Sequence, residues 1–401
     1  MKSYVLIGSM LLSASLNAET LSLLPPAQGD LQVHRLVASK AAAVGSLERD
    51  AAQFVWALEH DIELQQPSPY QADSREFWAE LDAKALAGGY AFYTSAPGAL
   101  IRVSVSGTTS KSATLPALEI EHGGRLLSDG DGFSAVADRQ ALKAAGVEFA
   151  SDTRVFKLDD QLPAGRFVLR APKAQGGVLV HVNEPQSDLH LQLQAEAGTA
   201  SAGGRLNVRA KLLEGQQSLS ATRIGGLLTA PSGESFEVSF KPDADGYLAS
   251  VQLPKAAQAG PEQWELHGFV ALHGQDVDAV YLRDAKTSFA VAAASARFAG
   301  TVSHAKGEGI QLRFDLQAAS AGRYELRGTL YGTRDGKLVP FAQAHSAAWL
   351  EAGEGQLALD IAKSMLSEAG VHAPFEVRAL ELNDQSRLAT IEHRARGLRI
   401  E

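Results

Sequence analysis

Apolar and polar positions change period near Tyr90. Before it, Val37, Ala41, Val44, Leu47, Ala51, Phe54, Leu58 and Ile62 recur at steps of three and four, the spacing of one buried helical stripe. Residues 30–90 are therefore expected to be helical. Phe54 to Leu58 (FVWAL) would equally make a short buried strand, and Gly45 interrupts the pattern. After Pro67-Ser68-Pro69, Asp73 or Ser74 can cap a second helix, with Phe77, Trp78, Leu81 and Leu86 on its apolar side and Gly88-Gly89 ending it.

From Tyr90 the alternation is that of strands. Leu100 to Ser106 (LIRVSVS) places every second residue on one face, and strand-length pieces follow at 115–120, 155–158, 166–170 and 178–182. One helical interruption is expected near Asp138 to Gly146. Residues 91–186 should be mostly β, so residues 19–186 form an α+β domain.

Two further blocks read as sandwiches. Residues 187–292 hold about seven short strands at regular spacing, with turns at Pro231-Ser232-Gly233, Asp245-Gly246 and Ala259-Gly260-Pro261. Residues 293–401 repeat the pattern. Gly165-Arg-Phe-Val-Leu-Arg170, Trp264-Glu-Leu-His-Gly268 and Gly322-Arg-Tyr-Glu-Leu-Arg-Gly328 share an aromatic two residues before a leucine, which suits tandem immunoglobulin-like sandwiches. The expected fold is mainly β: an N-terminal α+β domain followed by two immunoglobulin-like β-sandwich domains.

The first eighteen residues give an address. Lys2, the apolar run Val5 to Leu12 and the small and polar residues to Ala18 form a cleavable secretory signal, and the run is too short to span a bilayer. A periplasmic or secreted protein is expected, with no integral membrane segment after cleavage. Cleavage would move the net charge from -9 to -10, which disfavours nucleic acid and anionic membranes as partners. The chain has no cysteine, so disulfides, a thiol nucleophile and a lipid-modified cysteine are excluded.

Ala72-Asp-Ser-Arg-Glu-Phe-Trp78, Thr94-Ser-Ala-Pro-Gly-Ala-Leu-Ile-Arg-Val-Ser104, Ala348-Trp-Leu-Glu-Ala-Gly-Glu-Gly355 and Glu392-His-Arg-Ala-Arg-Gly-Leu-Arg-Ile400 resemble an uncharacterised bacterial exported family with immunoglobulin-like domains, domain-of-unknown-function family 4785. The resemblance implies architecture and export. It carries over no catalytic residue.

Candidate chemistry is sparse. The sequence contains no G-x-S-x-G, H-E-x-x-H, Walker loop or dinucleotide-binding glycine motif. Asp129-Gly-Asp131-Gly132 with Asp138 is a calcium candidate, because carboxylates at the first and third loop positions suit a hard cation. Phe133 stands where a further oxygen is needed, which favours a solvated glycine turn. His267 and His273, near Asp276 and Asp278, and the pair His181 and His190 pose the zinc question. Trp264 reads as core, whereas Trp349 could lie on either face.

Two function classes follow. The leading one is a non-catalytic exported protein that binds or scaffolds an envelope or extracellular protein or polymer, without a cofactor. The alternative is a hydrolase or protease-associated factor with a site between the N-terminal domain and the first sandwich, for which His122, Asp129, Asp131 and Asp138 would have to converge.

Overall fold

The computed structural model describes residues 18–401 apart from 28, 41–46, 60, 65–68, 107–113, 256–259, 275–277, 306 and 308. All but the last residue of the expected signal lies outside the described residues. The protein is mainly β, with several sheets and none closed into a barrel. Its described helices are short: Ala83–Gly88, Arg139–Ala144 and Lys363–Ala369. None is long and apolar enough to cross a membrane.

The chain gathers into two compact units. The first holds the described residues within 18–67, 259–261 and 291–401, and the second those within 68–258 and 262–290.

In the first unit a four-stranded sheet has the order Ala18–Ser22, Ala296–Ala305, Ile310–Ala318, Gly353–Ile361. A five-stranded sheet has the order Ala52–Ala57, Lys337–Leu350, Gly322–Arg334, His372–Asp384, Ala389–Ile400. All these neighbours are antiparallel. Alternate residues from both sheets, among them Phe314, Leu316, Leu326, Phe341, Leu359 and Leu382, share one buried core. Each sheet takes one edge strand from the N-terminal segment.

That segment is fastened by arginines to its own backbone carbonyls. Arg394 donates to the Leu24 carbonyl (3.1 Å), Arg387 to that of Ser39 (2.6 Å), and Arg323 to those of Glu48 (2.6 Å) and Asp50 (2.8 Å). Beneath it lies Glu392, 2% exposed, whose Oε1 accepts from the Val33 amide at 3.2 Å. Burial pushes its carboxyl up to about 7.

The helical expectation over residues 30–90 is corrected at the described residues, Ala41, Val44 and Gly45 lying outside them. Residues 52–57 form a strand in which Val55 packs on the core while Phe54 and Trp56 point outward. The period is two, and the edge of Lys337–Leu350 supplies the hydrogen bonds that a local reading cannot see. Likewise Asp73 and Ser74 cap no helix. They belong to the strand Gln71–Ser74, followed by Glu76–Leu81, where Phe77 and Leu81 face the core. Among the described residues of this stretch only Ala83–Gly88 is helical, capped by Asp82, whose Oδ1 accepts from the Ala85 amide at 2.7 Å. The expected helix near Asp138 does form, as Arg139–Ala144.

In the second unit the strands read from Tyr90 onward appear largely where alternation places them. Gln71–Ser74 pairs with Leu189–Ala195, so a ladder runs across the expected boundary at 186/187. Glu76–Leu81, Val178–Asn183, Leu100–Val105 and Thr153–Leu158 are successive neighbours over a core that includes Phe77, Ile101, Phe156 and Val180.

Candidate binding face

The strand Ala52–Ala57 carries the sequence Ala-Gln-Phe-Val-Trp-Ala. With Val55 inward, strand geometry sends Phe54 and Trp56 to the opposite side. Phe54 is 58% exposed and Trp56 48%. Their rings lie within 20° of parallel, with centroids 5.9 Å apart. The edge of the His345 ring meets Trp56 at 4.8 Å.

The five-stranded sheet surrounds this pair with polar side chains. Phe54, His345, Arg327, Glu381 and His393 are successive register partners across all five strands. A second row runs Trp56, Gln343, Thr329, Arg378, Arg396. The charges in these rows are held by one another. Arg327 contacts Glu325 (3.3 Å) and Glu381 (3.5 Å), and Glu376 receives Arg378 and Arg396, each at 2.7 Å. Burial works to raise the Glu376 carboxyl, but hydrogen bonds from Arg378 and Arg396 outweigh it and hold the group below the usual range. Burial, reinforced by the charge of Arg327, holds the His345 imidazole below its ordinary value, so the ring is neutral at pH 7. The arrangement offers a π surface and the exposed amide of Gln343, with three arginines set against three glutamates, while the His345 ring has Nδ1 3.3 Å from Glu325 and Nε2 buried.

Trp349 lies farther along the same outward side of Lys337–Leu350, its neighbours Ala348 and Leu350 being packed against the core. The Arg49 guanidinium covers its ring at 4.2 Å, and its Nε1 donates to Glu351. Trp264, as expected, is core: it is 1% exposed and stacks near Phe236.

Two of the three calcium candidates have partners of their own. Asp131 accepts two hydrogen bonds from Arg125, at 2.6 and 2.8 Å, and Asp138 caps the helix Arg139–Ala144 through the Ala141 amide at 2.9 Å. Asp129 shares with Asp138 an open depression of ≈ 470 Å³ lined also by Phe133 and Arg154. Among the described residues no group of three or more His, Asp or Glu side chains converges as a metal ligand set. His122 stacks on Phe167 and is hydrogen-bonded through Nδ1 to the Arg166 carbonyl, so the four residues named for a hydrolytic cluster have separate partners or places.

The other histidines are also dispersed. His181 is bonded to Glu76 at 2.8 Å and stacks on Trp78, His190 has Nδ1 on the Asp188 carbonyl, and His267 lies 3.3 Å from Asp284. His273 is exposed, Asp278 is exposed, and Asp276 lies outside the described residues. Sequence reasoning missed the Phe54–Trp56 pair. The signal that reveals it is the alternation Gln53-Phe54-Val55-Trp56, once read with period two.

Comparisons with known proteins match both ends of the chain. The N-terminal domain of the domain of unknown function DUF4785 matches residues 43–184, and its C-terminal domain matches residues 295–401. The chain is similar to the crystal structure of a DUF4785 family protein from Legionella pneumophila, at 18% identity and TM-score 0.71, covering 92% of this chain and 98% of that one. Trypsin-activated alpha-2-macroglobulin from Escherichia coli aligns at 12% identity and TM-score 0.21, over 75% of this chain and 22% of that one. Among curated proteins, no sequence matches.

Proposed function

Because the chain belongs to the DUF4785 family, whose function is unknown, we propose from its own surface that it is an exported, non-catalytic binding protein. The outer face of the five-stranded sheet is its recognition surface. The observation that carries this reading is the half-exposed, near-parallel Phe54–Trp56 pair set beside the neutral His345. Burying two aromatic rings contributes strongly to association, and a rigid sheet presents them with little loss of entropy.

Export rests on the composition of residues 1–18, with cleavage after Ala18. Such a cut leaves Glu19 as the first residue of the edge strand paired with Ala296–Ala305. Its test is the intact mass of the protein recovered from envelope and medium fractions: a chain that keeps residues 1–18, or stays in the cytoplasm, defeats export.

Recognition is tested by affinity capture from those fractions, with the mature chain and its Phe54→Ala/Trp56→Ala variant as parallel baits. Material retained by the first and lost with the second supports the face. Equal recovery on both baits removes it.

A further inference from the structure

Resting on that reading of the face, we propose that its ligand is an uncharged polysaccharide of equatorially linked pyranose rings, stacked on Phe54 and Trp56. Three observations on the sheet converge on this class.

The first is size. Two aromatic side chains of about 150–250 Å² each, half exposed, offer on the order of 200 Å² of apolar surface. A stable protein interface buries roughly 800 Å² per partner around a desolvated apolar centre. The pair is small for such a centre, and it matches the C–H face of one or two pyranose rings. Equatorial substituents leave that face apolar and put the hydroxyls at its rim.

The second is charge. Arg327 is matched by Glu325 and Glu381, and Arg378 and Arg396 by Glu376. His345 is neutral at pH 7. Arg378 and Arg396 share one carboxylate while Arg327 has two, so three arginines stand against three glutamates and the rows carry no net charge to draw an acidic polymer, whereas an uncharged one leaves the contacts intact.

The third is the polar rim. Gln343 is the register partner of Trp56 and is exposed, and His345 is the partner of Phe54. The Gln343 amide, beside the Trp56 ring, is placed to meet hydroxyls as donor and acceptor, whereas the His345 ring has Nδ1 3.3 Å from Glu325 and Nε2 buried and only flanks Trp56. Trp349 extends the aromatic side chains along the sheet, but Arg49 covers its ring, so it takes no part.

The experiment is native affinity electrophoresis of the mature chain, which migrates as an anion, through gels containing hydroxyethyl cellulose, a neutral β-glucan, or alginate, an acidic polymer. Retardation by hydroxyethyl cellulose is expected, weakened at least about tenfold in Phe54→Ala/Trp56→Ala, unchanged in Trp349→Ala and insensitive to salt. Both variants are first shown to unfold at the same temperature as the parent. Retardation that survives Phe54→Ala/Trp56→Ala overturns the site, and salt-sensitive retardation by alginate alone overturns the uncharged class. No retardation in either gel, with partner capture still dependent on Phe54 and Trp56, overturns the polysaccharide and keeps the recognition face. Loss of that dependence removes both.

Discussion

Arg283 and Glu184 face each other with both side chains fully buried, Nη1 2.9 Å from Oε1. The remaining polar atoms are largely accounted for: Glu184 Oε2 accepts from the Ser95 and Ala96 amides, and Arg283 donates to the Leu189 carbonyl and the Ser95 and Ser187 hydroxyls. Burial lowers the Arg283 pKa from its ordinary value, the expected effect of desolvating a cation. The pair joins the strand Val280–Ala292 to the segment after Val178–Asn183, across the boundary expected from sequence.

Arg283→Met should therefore cost about 3–5 kcal/mol, because it strands a buried carboxylate. Adding Glu184→Gln removes that charge while keeping an acceptor for Ser95, and should recover at least half of the loss. Urea unfolding of both variants is the measurement. Equal destabilisation in the single and double variants would show that the pair matters for packing and not for charge.

Glu392 makes the first unit sensitive to pH in the acid-favouring direction. Its carboxyl is raised from 4.5 unfolded to about 7 folded, so the stability it contributes is fully present below 4.5 and is lost as pH rises through 7. The span corresponds to roughly 3 kcal/mol. Arg394 and Arg297 oppose the shift, and the depressed groups His345 and Glu376 act with the opposite sign. The difference between wild type and Glu392→Gln isolates this carboxyl. Thermal unfolding from pH 4 to 8 should give a smaller loss toward high pH in the variant, and parallel curves would refute the assignment.

Arg323 couples the N-terminal segment to the aromatic face. Its Nη1 holds the Glu48 and Asp50 carbonyls immediately before Ala52–Ala57 while its Nε donates to Gln385 Oε1, and a lysine's single ammonium cannot span both sets. Arg323→Lys should cost about 1.5–3 kcal/mol. It should also speed hydrogen exchange in Ala52–Ala57 more than in the central strand Gly322–Arg334. Uniform acceleration would mean that the arginine supports the whole sandwich.

Asp138→Ala tests the acidic loop. Loss of the cap on Arg139–Ala144 should cost about 1 kcal/mol, the same with or without added calcium. A melting temperature that rises with calcium in the parent but not in Asp138→Ala would establish an ion site there.

The strands from Tyr90 onward were legible because one face of each is buried and the other is wet, which writes a period of two into the sequence. Ala52–Ala57 was legible only as the alternative to a helix. Phe54 and Leu58 stand four apart by coincidence, and the partner Ala342–Ala347 lies some 290 positions later, beyond any local signal. Gln71–Ser74 was hidden in the same way by its ladder with Leu189–Ala195. Asp131 and Asp138 show the converse: their spacing was read correctly, but Arg125 and the Ala141 amide satisfy the carboxylates locally. The candidate face escaped notice because its aromatics belong to one end of the chain and its polar rows to the other.

That union of ends sets an order of events. Ala18–Ser22 and Ala52–Ala57 are made early, yet their ladders require Ala296–Ala305 and Lys337–Leu350, and the bridge from Leu31 requires His393. While the chain emerges N-terminus first, these early segments have no edge to join until strands well beyond residue 290 are out. A truncation that removes Ala389–Ile400 thus reaches back to the start of the chain, depriving Leu24, Leu31 and Val33 of Arg394, His393 and Glu392. Segments synthesised well before their partners are among the last to find their place.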